Sequence, residues 1–165
     1  MPSDPSSTPA ASAPAPPVAA LQVAVVGGGP AGLMAAEALL QAGAHVDLYD
    51  AMPSVGRKFL LAGKGGLNLT HSEPLPAFTA RYGDRAAQVQ PWLDGLPPQA
   101  LRDWAVGLGI STFVGSSGRV FPAEMKAAPL LRAWLHRLRA AGLRLHMRHR
   151  WQGWQPGDAD RKSVV

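Results

Sequence analysis

The sequence predicts an α/β fold built on a parallel β-α-β unit. Three observations carry that expectation. A short β-branched apolar run ends at Gly27, a glycine-dense turn follows it, and helical and strand-like periods then alternate along the chain.

The first strand is "LQVAVVG", Leu21 to Gly27, a short β-branched apolar run that reads as a fully buried strand. "PAGLMAAEALLQAG" follows with helical spacing, placing Leu33, Ala36 and Leu40 on one face. Pro30 suits a first helical turn, and Gly43 is placed to end the helix. "HVDLYD" is the second strand, with Val46, Leu48 and Tyr49 apolar.

The glycines sit at the strand-to-helix turn, and Gly27-x-Gly29-x-x-Gly32 is the dinucleotide fingerprint. Gly27 permits a tight turn, Gly29 lets the backbone approach a pyrophosphate, and Gly32 lets helix and strand pack closely. Gly28, Pro30 and Ala31 complete the turn, where the start of a helix offers free N–H groups and a positive dipole end. Asp50 closes the second strand, where an acid bonds ribose hydroxyls; with Ala51 it completes the expected contact set. An acid there disfavours a 2′-phosphate, so FAD or NAD is preferred to NADP.

Composition sets the bounds. The first twenty residues hold six prolines and no aromatic residue, predicting a disordered tail over 1–20. Val18 to Ala36 carries no charge, but a Gly-Gly-Gly-Pro break in its middle argues against a membrane span. No basic n-region precedes an apolar core, so no secretory signal is read, and a cytoplasmic chain is expected. The absence of cysteine excludes disulfides and thiolate chemistry within these residues and fits a reducing compartment. The net charge is +5, with nine of the sixteen basic residues between Lys126 and Lys162.

A second glycine-rich loop follows the second strand. Gly56-Arg57-Lys58 precedes Gly63-Lys64-Gly65-Gly66-Leu67-Asn68-Leu69-Thr70, and "GRVFPAEMKA" follows at Gly118 to Ala127. Lys64 is followed by Gly65 where a phosphate-binding Walker loop needs Ser or Thr, which excludes that motif. Backbone N–H groups, a lysine and the Asn68 amide nonetheless suit anionic oxygens. With the first fingerprint, these pieces resemble the bacterial BaiN-like NAD(P)/FAD-dependent oxidoreductases, also described as aminoacetone-oxidase-family flavoproteins, within the glutathione-reductase-like group. The resemblance spans about Val23 to Trp154. It implies FAD extended across the first β-α-β unit and NAD(P)H as electron donor. Arg57 and Lys58 would face the adenine-ribose and pyrophosphate side, and Gly63, Lys64, Gly65, Gly66, Asn68 and Thr70 would line the path toward the flavin ring. The family commonly reads Gly-Gly-Arg-Cys-Asn in that loop. Here Gly65-Gly66-Leu67-Asn68 lacks the Arg and Cys, which points to a subgroup.

Farther on, Pro97 to Leu108 reads as a helix, "STFVGSSGRVFP" as a hairpin turning at Ser116-Ser117-Gly118, and "APLLRAWLHRLRAAG" as a second strong helix. "LRLHMRHR" alternates apolar and basic residues and predicts a half-exposed third strand beside the second. An insertion of hairpin and helices, about 75–128, thus interrupts a dinucleotide-binding domain over 21–154. Trp151 and Trp154 behind the basic strand raise single-stranded nucleic acid as a partner, but one alternating strand with a solvated polar side is the simpler reading, and none is expected. His146 and His149, three apart on a strand, would point to opposite faces, so no metal site is read. Arg119 and Lys126 are candidates for an anionic substrate or cofactor group, or plain surface charges. No catalytic base or nucleophile stands out, and flavin chemistry requires none.

The end "DRKSVV", Asp160 to Val165, continues no pattern, and a possible coding sequence for it resembles a sequencing adapter. The expectation is an N-terminal portion of a longer enzyme, with 155–165 non-native or disordered and the chain inactive alone. The reading is a flavoprotein oxidoreductase acting on an unidentified small molecule. An NAD-binding dehydrogenase half, or a non-catalytic nucleotide- or RNA-binding module, is the alternative.

Overall fold

The computed structural model describes residues 21–154, so the expectations for 1–20 and 155–165 lie outside the described residues. The described residues build two small sheets. Strands β1 (Gln22–Val26), β2 (His45–Asp50) and β6 (Arg144–Met147) form a parallel sheet in the order β1-β2-β6. The connections carry helices α1 (Pro30–Gln41) and, much later, α6 (Ala127–Ala140). A rightward step at each parallel crossover puts both helices on one face. Leu33 and Ala36 of α1, Val46 and Leu48 of β2, and Leu130, Trp134 and Leu138 of α6 form one buried core there.

On the opposite face Gln22, Ala24 and Val26 of β1 are exposed. Val23 and Val25 turn toward the core with their register partners Val46 and Leu48, while Val26 is 58% exposed. The expected full burial of the first strand is therefore corrected: among the described residues β1 is an edge strand with one covered face. The open face holds Asp47 and Tyr49 beside their β6 partners Arg144 and His146. β6 flanks β2 as its alternation predicts, but the strand ends at Met147.

Between β2 and α6 lie α2 (Arg57–Ala62), the short strand β3 (Thr70–His71), helices α3 (Leu75–Ala80), α4 (Ala86–Gly95) and α5 (Pro98–Gly107), and the hairpin β4 (Thr112–Val114) and β5 (Arg119–Pro122). A 3-10 turn, Gly83–Arg85, precedes α4. β3, β5 and β4 pair antiparallel in that order, so the glycine loop runs directly into a sheet with the hairpin. At the hairpin tip the Gly118 N–H donates to Gly115 O at 2.9 Å, and Gly118 takes the left-handed conformation its position predicts (φ 77°). No helix among the described residues is long and apolar enough to cross a membrane.

A buried polar knot joins the two parts. Glu37 of α1 is 5% exposed, and its Oε2 accepts the indole N–H of Trp134 at 2.7 Å and of Trp104 at 3.0 Å. Its Oε1 stands 2.7 Å from Arg137 Nη2 without hydrogen-bond alignment, an ion pair only. Arg137 also lies 5.7 Å above the Trp104 ring, so α1, α5 and α6 meet at one carboxylate.

Candidate functional site

The turn after β1 is shaped by what a side chain would meet. Gly27 has φ 103°, open to glycine and strained for anything else. A Cβ at Gly32 would strike the Gly27 carbonyl oxygen, and one at Gly28 would strike Val55 Cγ1. At Gly29 a Cβ would meet nothing within 4 Å, so that position opens onto free space. Gly29 caps α1 with extended backbone, Pro30 opens the helix, and no side chain caps it. Among the described residues no hydrogen bond reaches the N–H of Gly29, Ala31 or Gly32. Three donors and the positive end of a twelve-residue helix therefore face an open cradle.

Asp50 closes this cradle. Its Oδ2 accepts the Gly28 N–H and its Oδ1 the Met52 N–H, both at 2.7 Å. Each carboxylate oxygen keeps a lone pair for an incoming hydroxyl, so the acid both positions the turn and remains available. The turn is further tied by Gly27 N–H to Tyr49 O at 2.8 Å and Gly56 N–H to Gly28 O at 2.7 Å. Gly56 itself is left-handed (φ 70°) and packs on Leu131, so its glycine serves helix packing. Ala51, Arg57 and Lys58 are exposed beside it, with neither cation paired to an acid among the described residues. A groove of about 530 Å³ opens along the same edge, walled by Pro53, Val55, Leu145 and Met147.

The second loop is placed differently. Six residues of α2, about 9 Å of helix, separate its start from the first turn. Gly63 packs on Ala127, and Gly66 (φ 122°) packs on Met125 and Phe121, so the loop lies against the β5–α6 junction. Leu67 N–H donates to Met125 O at 2.9 Å. The Asn68 amide, with its nitrogen toward the sheet, donates to Thr70 O at 2.8 Å and Val120 O at 3.2 Å. Asn68 thus holds β3 to β5, and Thr70 is buried in that pairing. Lys64 and Gly65 stay exposed. The structure therefore unites Gly27 to Gly32 with Asp50 and Gly56, and unites Gly63 to Thr70 with the hairpin and Met125.

The histidine expectation is corrected. Arg148 takes left-handed backbone (φ 62°) just after β6, and the rings of His146 and His149 come to 5.9 Å on the same side. Both pack on Tyr49, His146 stacked at 4.5 Å. His146 Nε2 donates to Asp47 Oδ1 at 2.7 Å, and Arg144 Nε donates to the same carboxylate at 2.8 Å. The Arg144 hydrogen bond first, then that of His146, holds the Asp47 carboxyl down at about 2. No group of three metal-ligating side chains occurs among the described residues.

Two residues escaped sequence reasoning. Val55 forms the wall that forbids a side chain at Gly28. Glu37 falls on the apolar helix face of Leu33, Ala36 and Leu40, and an acid on such a face is the signal that locates it.

No curated protein matches the chain. Among solved structures it is similar to THI4 of Thermovibrio ammonificans, with 21% identity and a TM-score of 0.47, covering 78% of this chain and 38% of that one. It is also similar to a glycine oxidase of Bacillus cereus, with 16% identity and a TM-score of 0.38, covering 78% of this chain and 46% of that one. The chain spans less than half the length of either. The HI0933-like protein Rossmann domain matches residues 21–165, which takes in both glycine loops and the whole parallel sheet. By that match the chain belongs to the HI0933-like Rossmann domain family.

Proposed function

We propose that the chain is the nucleotide-binding part of an FAD-dependent oxidoreductase that takes electrons from NAD(P)H and passes them to a small molecule. The observation that carries this reading is the open cradle at Gly29, faced by the unpaired N–H groups of Gly29, Ala31 and Gly32. A pyrophosphate supplies the anionic oxygens those donors lack. Bound FAD would supply the two-electron chemistry of its ring; the chain's own residues bind and orient.

The roles follow from position. Gly29 leaves the space, Gly27 and Gly32 shape the turn, and Asp50 accepts from ribose hydroxyls with its remaining lone pairs. Arg57 and Lys58 add positive charge beside the cradle, and the groove at Val55 and Met147 suits a flat base. Lys64, Gly65 and Gly66 lie toward the far end, where the ring would be reached.

Titration of the purified chain with FAD, read by flavin fluorescence, tests this. Binding with competition by ADP and none by FMN is expected, because the site recognises the adenosine diphosphate half. Equal affinity for FMN, or no FAD binding, would overturn it. Retention of NAD with no flavin binding would favour the dehydrogenase reading.

A further inference from the structure

We propose that a second site, the cleft between the antiparallel sheet and helices α3 to α5, binds a small organic carboxylate with an apolar body. The cleft measures about 420 Å³, within the range of about 300–1,000 Å³ usual for small-molecule pockets. Thr70, His71 and Arg119 line it from the sheet side, and Phe78, Leu93 and Leu101 line it from the helices. It begins at Asn68, where the glycine loop ends.

The charge argument selects the ligand. His71 and Arg119 are register partners on β3 and β5, so both side chains project from one face of that sheet. His71 is already engaged: its Nδ1 accepts the Glu73 N–H at 3.2 Å, which leaves Nε2 to donate to Ser117 O at 3.0 Å. These two bonds fix the orientation of the ring as one wall of the cleft. Glu73 is the nearby acid, and it is ion-paired with Arg81, the other cation lining the cleft. Arg119 has no carboxylate partner among the described residues, and no acid lines the cleft. A planar guanidinium in a cleft whose helix side is apolar at Phe78, Leu93 and Leu101 matches a carboxylate on a hydrocarbon tail.

The test uses the full chain without FAD, so it stands or fails separately from the cofactor reading. Titrate 4-phenylbutyrate and its neutral analogue 4-phenylbutanol, following backbone amides by NMR. Saturable shifts at Thr70, His71, Tyr82 and Arg119 are expected, with the acid binding at least tenfold tighter than the alcohol. Arg119→Gln should remove that preference while leaving the alcohol's affinity unchanged. No saturable shift at these amides overturns the site. Equal affinity for acid and alcohol in the unsubstituted chain overturns the anion assignment and needs no variant to show it.

Discussion

Trp134 of α6 donates its indole N–H to Glu37 of α1 across 2.7 Å, inside the core. The same carboxylate takes Trp104 and faces Arg137. Removing it with Glu37→Ala would strand two indole donors and a partly buried guanidinium. Breaking a buried pair in this way costs about 3–5 kcal/mol. Glu37→Gln, which keeps an acceptor oxygen, should cost less. Urea unfolding followed by tryptophan fluorescence compares the two, and equal losses would show that hydrogen bonding contributes nothing at this position.

Gly32 and Gly29 should separate folding from binding. Gly32→Ala drives a methyl into the Gly27 carbonyl and should destabilise by about 1–3 kcal/mol. Gly29→Ala meets nothing in the protein, so its thermal midpoint should hold while FAD affinity falls at least tenfold. Circular dichroism and flavin titration on both variants check this. A collapsed fold in Gly29→Ala would remove the distinction.

Asp50 is expected to serve the turn as well as the ligand. An amide has one oxygen, so Asp50→Asn can keep only one of the bonds to Gly28 and Met52. One of those two amides should then exchange with solvent about tenfold faster, as loss of about 1.4 kcal/mol of local protection implies. Hydrogen exchange read by NMR gives the answer before any cofactor is added.

Asp47 predicts an acid limb in stability. Its carboxyl is held down at about 2 from an ordinary 3.8, chiefly by Arg144 and then His146. The stabilisation is complete above pH 4 and is lost as pH falls through about 2. Solvent screening limits it to about 1 kcal/mol. Asp47→Asn should flatten the dependence of the denaturant midpoint on pH in that window. An unchanged slope would mean that other carboxylates set it.

Much of the fold was legible because local pattern and global packing agree. Val23 to Asp50 shows strand, turn, helix and strand in an order that has one parallel solution, and Leu131, Trp134 and Leu138 mark the covering face of α6. The turn residues were legible because glycine there answers a steric demand, seen directly at Gly27 and Gly32. What was not legible depends on partners far along the chain. Exposure of Val26 reflects which sheet face is covered, not the apolar run itself. The meeting of His146 and His149 hangs on one backbone angle at Arg148. The Asn68 bonds to Thr70 and Val120 need a β3–β5 pairing that two residues of strand cannot announce.

The Glu37 knot also has a consequence for how this sequence can change over generations. Its indole donors lie 67 and 97 positions downstream, one on α5 and one on α6. A mutation at any one of them is penalised until the others are altered too. Substitutions at these distant codons should therefore be tolerated only together, and recombination between divergent copies within that interval should yield chains that fold poorly.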